Sequence, residues 1–160
     1  HNRIQDEAVN NPDYRGMGTT LVMATVMDGA VNVANIGDSR LYILSDSLNQ
    51  ITEDHSLVEE MVKSGELAKE NVRSHPNKNI ITRALGIGYD TQPDYFNLDI
   101  NEGDIILMCS DGLTNMLEDA EIEYIIKNNR DDLKKAGMTL LNRANEAGGR
   151  DNITVLLVEV

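Results

Sequence analysis

Three aspartates in this chain stand where a strand end could give them a chemical task. Asp38 lies in Asn35-Ile36-Gly37-Asp38-Ser39-Arg40, directly after a run with strand character. Asp111 lies in Cys109-Ser110-Asp111-Gly112-Leu113, after a more apolar run, and Asp151 lies in Gly148-Gly149-Arg150-Asp151-Asn152, ahead of the closing run. A carboxylate on a stiff strand end suits a hard divalent cation such as Mg²⁺ or Mn²⁺, which takes oxygen ligands. Nearby glycine lets backbone and water crowd the ion. Three such ends meeting at one edge of a sandwich could hold a metal cluster. The competing reading is that Gly-Asp and Asp-Gly are ordinary turn dipeptides, favoured because aspartate hydrogen-bonds its own backbone. Spacing does not choose between them. The three lie 73 and 40 residues apart, so only a fold can join them.

The other reactive side chains read more simply. Cys109, inside an apolar run, is a small core residue. His55 follows Asp54 just ahead of a helix cap and reads as a structural hydrogen-bonding group rather than a catalytic one. His75 stands beside Pro76 in a polar stretch and reads as a solvated loop histidine.

The elements that must position the aspartates follow from periodicity. His1–Val9 reads as the end of a helix, broken by Asn11-Pro12. Thr19–Met27 is a strand apolar on both faces, Asp28-Gly29 a two-residue hairpin turn, and Val31–Ile36 the partner strand. Gly37–Arg40 reads as the next reversal and Leu41–Leu44 as a third strand. A turn at Asp46–Asn49 then leads into Gln50-Ile51-Thr52, and the four strands form an antiparallel meander. Ser56 and Glu59 make a capping box for a helix that Gly65 stops. Residues 66–79 are a mobile polar excursion, Ile80–Leu85 a short strand and 86–93 a loop. Tyr95–Ile100 alternates as a strand, and Ile105–Cys109 is a buried one. Asp119 caps a helix with Ile122, Ile125 and Ile126 inward. Asp131 caps another with Leu133, Leu140, Leu141 and Ala144 inward, and Ile153–Val158 closes the chain. Strands and helices are grouped rather than strictly alternating, which predicts an α+β fold of antiparallel sheets with helices outside.

Composition narrows the function. Of 160 residues 41% are hydrophobic and 26% charged, which excludes a disordered chain and suits one domain over 1–160. Lys and Arg number 14 against 27 Asp and Glu, a net charge of −13 that should repel nucleic acid and anionic membrane. No apolar run approaches the ~20 residues of a membrane span. A single cysteine excludes an intrachain disulfide and a multi-cysteine zinc site, and with no leader in view the expected location is cytoplasmic. One Phe, five Tyr and no Trp leave little for stacking on bases.

Four motifs occur in order: Gly18-Thr19-Thr20, Val33-Ala34-Asn35-Ile36-Gly37-Asp38-Ser39-Arg40, Leu107-Met108-Cys109-Ser110-Asp111-Gly112-Leu113 and Gly149-Arg150-Asp151-Asn152-Ile153-Thr154. Together they resemble the metal-dependent Ser/Thr protein phosphatases of type 2C. Asp54-His55-Ser56 and Asn79–Gly86 resemble the segments found between them in the bacterial branch. The resemblance runs from about Met17 to Val160. It implies an αββα sandwich of two antiparallel sheets flanked by helices, with a binuclear Mn²⁺ or Mg²⁺ centre between the sheet edges. Asp111 and Asp151 match ligands of the second metal. Asp38 matches the position that, with Asp111, holds a third, and Asn152 would orient Asp151. The implied chemistry is hydrolysis of phosphoserine or phosphothreonine in proteins by a metal-bridging water, with no protein nucleophile. The implied partners are phosphorylated Ser/Thr proteins and an opposing Ser/Thr kinase. Lys69, Arg73, Lys78 and Arg83 would be either a basic rim for the substrate or a charge-balanced loop.

The family's first segment, with a phosphate-gripping arginine and an Asp-Gly-x-Gly-Gly stretch, has no match here. The chain therefore reads as the C-terminal two-thirds of such a domain, incomplete at its N-terminus. The expectations that follow are little or no turnover by the fragment alone, and self-association through uncovered sheet edges. The alternative is a non-catalytic phosphoprotein- or metal-binding module on the same scaffold.

Overall fold

The apolar pattern condenses into elements largely where periodicity puts them. The computed structural model describes residues 1–89 and 91–160; the predicted loop over 86–93 includes Asp90, which lies outside the described residues. Helix α1 (Asn2–Asn10) ends ahead of Pro12. Strands β1 (Leu21–Met27) and β2 (Ala30–Ile36) form a hairpin. Its turn residues Asp28 and Gly29 have φ of 51° and 76°, the mirror-image turn that matches strand twist.

The predicted meander is not what forms. Strand β2 does not fold back onto β3 (Arg40–Leu44). Gly37–Ser39 instead carries the chain from one sheet to the other. The first sheet has the order β1-β2-β5, with β5 spanning Asp94–Asp99. The second has the order β4-β3-β6-β7, with β4 at Leu48–Gln50, β6 at Ile105–Cys109 and β7 at Val155–Glu159. Every pairing is antiparallel. Burial explains the crossover. Val31 and Val33 of β2 meet Leu41 and Ile43 of β3 in a shared core, with Ile100 and Ile106. One flat sheet would leave that face wet, whereas stacking two sheets buries it.

A second core lies between the four-stranded sheet and helices α3 (Asp111–Thr114), α4 (Asp119–Lys127) and α5 (Leu133–Glu146). Its Tyr42, Leu44, Ile105, Leu107, Ile122, Ile126 and Leu140 are fully buried. Each such aliphatic side chain contributes about 1.5–3 kcal/mol relative to exposure. Strand β6 feeds both cores: Ile105, Leu107 and Cys109 face the helices, while Ile106 and Met108 face the other sheet. That is why its sequence is an unbroken apolar run. The architecture is the α+β arrangement of two antiparallel sheets with helices outside that the sequence predicts.

Several local expectations shift. β1 is an edge strand: Val22 and Ala24 pack inward, but Leu21, Met23 and Met27 are exposed, so its outward apolar face is not interior. Ile80–Leu85 is not a strand; it makes two isolated bridges, Ser56 with Ile81 and Thr19 with Leu85. Ser56 Oγ does accept from Glu59 N–H to start α2 (Leu57–Lys63). The N-cap of α4 is Glu118 rather than Asp119, and that of α5 is Asp132, which accepts from Lys135 N–H, rather than Asp131. The excursion over 66–79 is fastened: Arg73 donates to the Leu117 carbonyl at 2.6 Å and pairs with Glu118 at 2.8 Å. Arg83 likewise pairs with Asp94 at 2.7 Å, so two of the four proposed rim cations are already engaged. Among the described residues no helix is long and apolar enough to cross a membrane.

Candidate functional site

Strand register brings the aspartates together. Arg40 opens β3 opposite Cys109, which ends β6, and Cys109 lies opposite Val155, which opens β7. The three strands therefore finish in line. Asp38 precedes β3 by two residues, Asp111 follows β6 by two, and Asp151 precedes β7 by four, so all three leave from one edge of the sheet.

Close backbone contacts fix two of them. Ser110 binds the incoming strand three times: its N–H donates to the Thr154 carbonyl at 3.2 Å, its Oγ accepts from Thr154 N–H at 2.9 Å, and its hydroxyl donates to the Asn152 carbonyl at 3.0 Å. Gly112 makes the approach possible. A Cβ there would lie 2.3 Å from the Asn152 carbonyl oxygen. Asp111, between Ser110 and Gly112, is held beside Asp151, and Asn115 donates to its Oδ2 at 3.0 Å. The hydrogen bond that Asn152 gives Asp151 comes from its backbone N–H, at 2.7 Å to Oδ1.

Asp38 is set by the crossover. Gly37 has φ of 104°, and a Cβ there would lie 2.4 Å from Thr20 Cγ2, so both conformation and space call for glycine. Thr20 Oγ1 and Ser39 Oγ are 2.8 Å apart, closing the turn from the other side.

Electrostatics ties these carboxylates into one group. Burial, then the charges of Asp111 and Asp54, pushes Asp38 up to about 6. Burial and then Asp151 raise Asp111. Asp111 is thus coupled to both of the others. Burial works against the charge of Arg40, but its fork onto Asp54, at 2.8 and 2.8 Å, overrides that and holds the guanidinium firmly charged. The fork is completed by Arg40 Nη1 donating to Tyr42 Oη at 2.9 Å, and Tyr42 donates to Asp119 at 3.2 Å. Burial, foremost, pushes the Cys109 thiol up to about 12, which fits an inert core residue.

Asp54 enters the sequence reading only as part of Asp54-His55-Ser56, with no role at the site. Its partner Arg40 is 14 residues away, and only the sheet brings the pair beside Asp38 and Asp111. A cleft of about 760 Å³ opens next to the pair, walled by Arg40, Asp54, Lys69, Arg73, Glu118 and Asp119; Asp38, Asp111 and Asp151 do not line it.

The donor set suits hard divalent cations: it is oxygen only, on a rigid edge, and its Asp38 and Asp111 carboxyls are raised by burial first and by neighbouring carboxylates second. The coupling is pairwise, Asp111 with Asp38 and Asp111 with Asp151. Among the described residues no three Asp, Glu, His or Cys side chains converge on a single ion position.

The model of the family described as "Protein phosphatase 2C" matches residues 1–157. The serine/threonine phosphatase Stp of Listeria innocua is 49% identical over 153 residues, which is 95% of this chain and 60% of that protein. The crystal structure of the Mycobacterium tuberculosis serine/threonine phosphatase PstP/Ppp superposes with a TM-score of 0.93 at 33% identity, covering 99% of this chain and 66% of that one. The PstP catalytic domain in complex with two manganese ions superposes at 0.87 with 32% identity, covering 98% of this chain and 65% of that one. The chain thus spans about 60% of the length of the curated relative it matches.

Proposed function

Because the chain belongs to the protein phosphatase 2C family, we propose that it is part of a metal-dependent protein serine/threonine phosphatase, with Asp38, Asp111 and Asp151 as its share of the metal ligands. The observation that carries this reading is the strand edge at which Asp111 is coupled to Asp38 on one side and Asp151 on the other. Asp111 would be the common ligand, shared with Asp151 for one Mn²⁺ or Mg²⁺ and with Asp38 for another, within a set of two to three ions in the complete domain. When bound, the ions supply the charge that activates water and neutralises the transferred phosphoryl group.

The chain's own residues do the holding. Ser110 and Gly112 keep the β6 and β7 ends in contact, the Asn152 N–H orients Asp151, and the Arg40–Asp54 fork stops Asp54 from adding an unpaired charge to the cluster. A side-chain role of Asn152 in steadying Asp151 belongs to the same proposal. The cleft beside Arg40 would take the polypeptide flanking a phosphorylated serine or threonine in a protein that a Ser/Thr kinase has modified. The two cores share β6, which favours one folding unit over 1–160. These residues alone should turn over little, because the Asp-Gly-x-Gly-Gly stretch whose aspartate the resemblance makes a bridging ligand has no match among them.

Phosphate release from a phosphothreonine peptide by the full-length protein with Mn²⁺ tests the reading. Loss of turnover in Asp111→Asn, with the fold retained, is the expected result. Turnover that survives both that change and chelation of metal would sink it.

A further inference from the structure

His55 is 3% exposed and plays no part in the chemistry above, yet both ring nitrogens are engaged. Gly37 N–H donates to its Nδ1 at 3.1 Å, and its Nε2 lies 3.0 Å from Asp94 Oδ2. A backbone N–H can only donate, so Nδ1 is the unprotonated nitrogen. Nε2 then carries the hydrogen and donates it to the carboxylate. The backbone repeats the clamp: His55 N–H donates to the Gly37 carbonyl at 3.0 Å, and Thr82 N–H donates to the His55 carbonyl at 2.8 Å. The Asn35 carboxamide reaches the same Gly37 carbonyl at 3.3 Å and the Glu53 carbonyl at 3.1 Å. Arg83 in turn holds Asp94, at 2.7 Å.

The chain of contacts runs Arg83, Asp94, His55, Gly37, and the next residue is Asp38. Gly37 sits at φ 104°, a conformation with no strand or helix ladder to hold it. The imidazole is the side chain that accepts its N–H. We infer that His55, held by Asp94 in the tautomer that accepts from Gly37, is the positioning residue for the Gly37–Asp38 turn and sets the affinity of the divalent cation that Asp38 binds. The inference rests on the reading of Asp38 as a metal ligand and adds a residue that acts on it through the backbone. Groups hydrogen-bonded directly to a ligating side chain typically govern metal affinity by roughly 10–100-fold, and His55 acts one residue removed, through the Gly37 backbone.

The test is Mn²⁺ calorimetry on the full-length protein, with Asp38→Asn defining the Asp38-dependent class of sites. His55→Gln can still reach toward Asp94 but presents no acceptor at the Nδ1 position. It should weaken that class about tenfold or more. His55→Asn places an amide oxygen where Nδ1 stood, so it can still accept from Gly37 N–H and should keep affinity closer to wild type than His55→Gln does. Should the buried variants fail to fold, Asp94→Ala at the half-exposed end of β5 serves instead. Nitrogen-15 spectra of its His55 should show the Nε2–H hydrogen bond lost, with weaker Mn²⁺ binding. Asp38→Asn losing a class of sites while His55→Gln and Asp94→Ala keep wild-type affinity overturns the inference alone. Asp38→Asn binding Mn²⁺ like wild type overturns the metal reading beneath it.

Discussion

Gly112→Ala separates two effects of opposite sign. Gly112 lies in α3, its φ is not positive, and alanine is about 1 kcal/mol better than glycine in a helix. Propensity alone therefore makes the substitution stabilising. The structure says otherwise, because the new Cβ would stand 2.3 Å from the Asn152 carbonyl oxygen and 3.0 Å from its carbon. That neighbour is backbone and has no rotamer to escape into. The Ser110 hydroxyl also donates to it, at 3.0 Å. Overpacking of this kind costs about 1–3 kcal/mol, and prising the 150–154 segment away forfeits a hydrogen bond of about 1 kcal/mol more. After the propensity gain, a net loss of about 1–3 kcal/mol remains. For a chain of this size that lowers Tm by about 3–10 °C. Gly137→Ala is the control. It sits inside α5, where the added Cβ meets only Leu157 Cδ1 at 4.0 Å, and it should stabilise by about 0.5–1 kcal/mol. Thermal melts of the two variants should move in opposite directions. A Tm that rises in both would show that β6 and β7 do not meet at Gly112, and with that the joining of Asp111 to Asp151 would fail.

Other perturbations address the rest of the site. Arg40→Ala strands Asp54, whose side chain is only 14% exposed, among the other carboxylates; urea denaturation should show a loss of about 3 kcal/mol, and a loss below about 0.5 kcal/mol would mark the pair as a surface one. Asp94 is held below the ordinary aspartate value of 3.8, first by its hydrogen bond from Arg83 and also by that from His55. Its stabilisation is therefore full above that value and disappears as pH falls through the depressed one, so Asp94→Asn should flatten the acid limb of a stability–pH curve and leave the neutral limb parallel to wild type. Leu156 and Val158 are 47% and 40% exposed on edge strand β7. We expect the 160-residue chain to self-associate in sedimentation runs, and the Leu156→Lys, Val158→Lys double variant to sediment as a monomer; a wild-type monomer at high concentration would refute this.

Much of the architecture was legible because its signals are local. Asp28-Gly29 turns the β1–β2 hairpin, Ser56 caps α2, and the alternation of Phe96, Leu98 and Ile100 marks β5. What the sequence misassigned depended on which sheet a strand joins. Gly37–Arg40 reads as a hairpin reversal by residue type, but the apolar faces of β2 and β3 bury each other only when the chain changes sheets. Ile80 and Ile81 have β-branched strand character but are exposed and form only an isolated bridge, so propensity there had no partner to act on. At the site, the three aspartates could be picked by context, whereas Asp54 and His55 act through Arg40 and Gly37, partners 14 and 18 residues away. No local pattern encodes those contacts.

The most direct test of the central claim is anomalous diffraction at the manganese edge from crystals soaked in Mn²⁺. We expect a peak within about 2.1 Å of an Asp111 carboxylate oxygen, on the side of Asp151 or of Asp38. Peaks confined to other acidic surface, with none at Asp111, would contradict it.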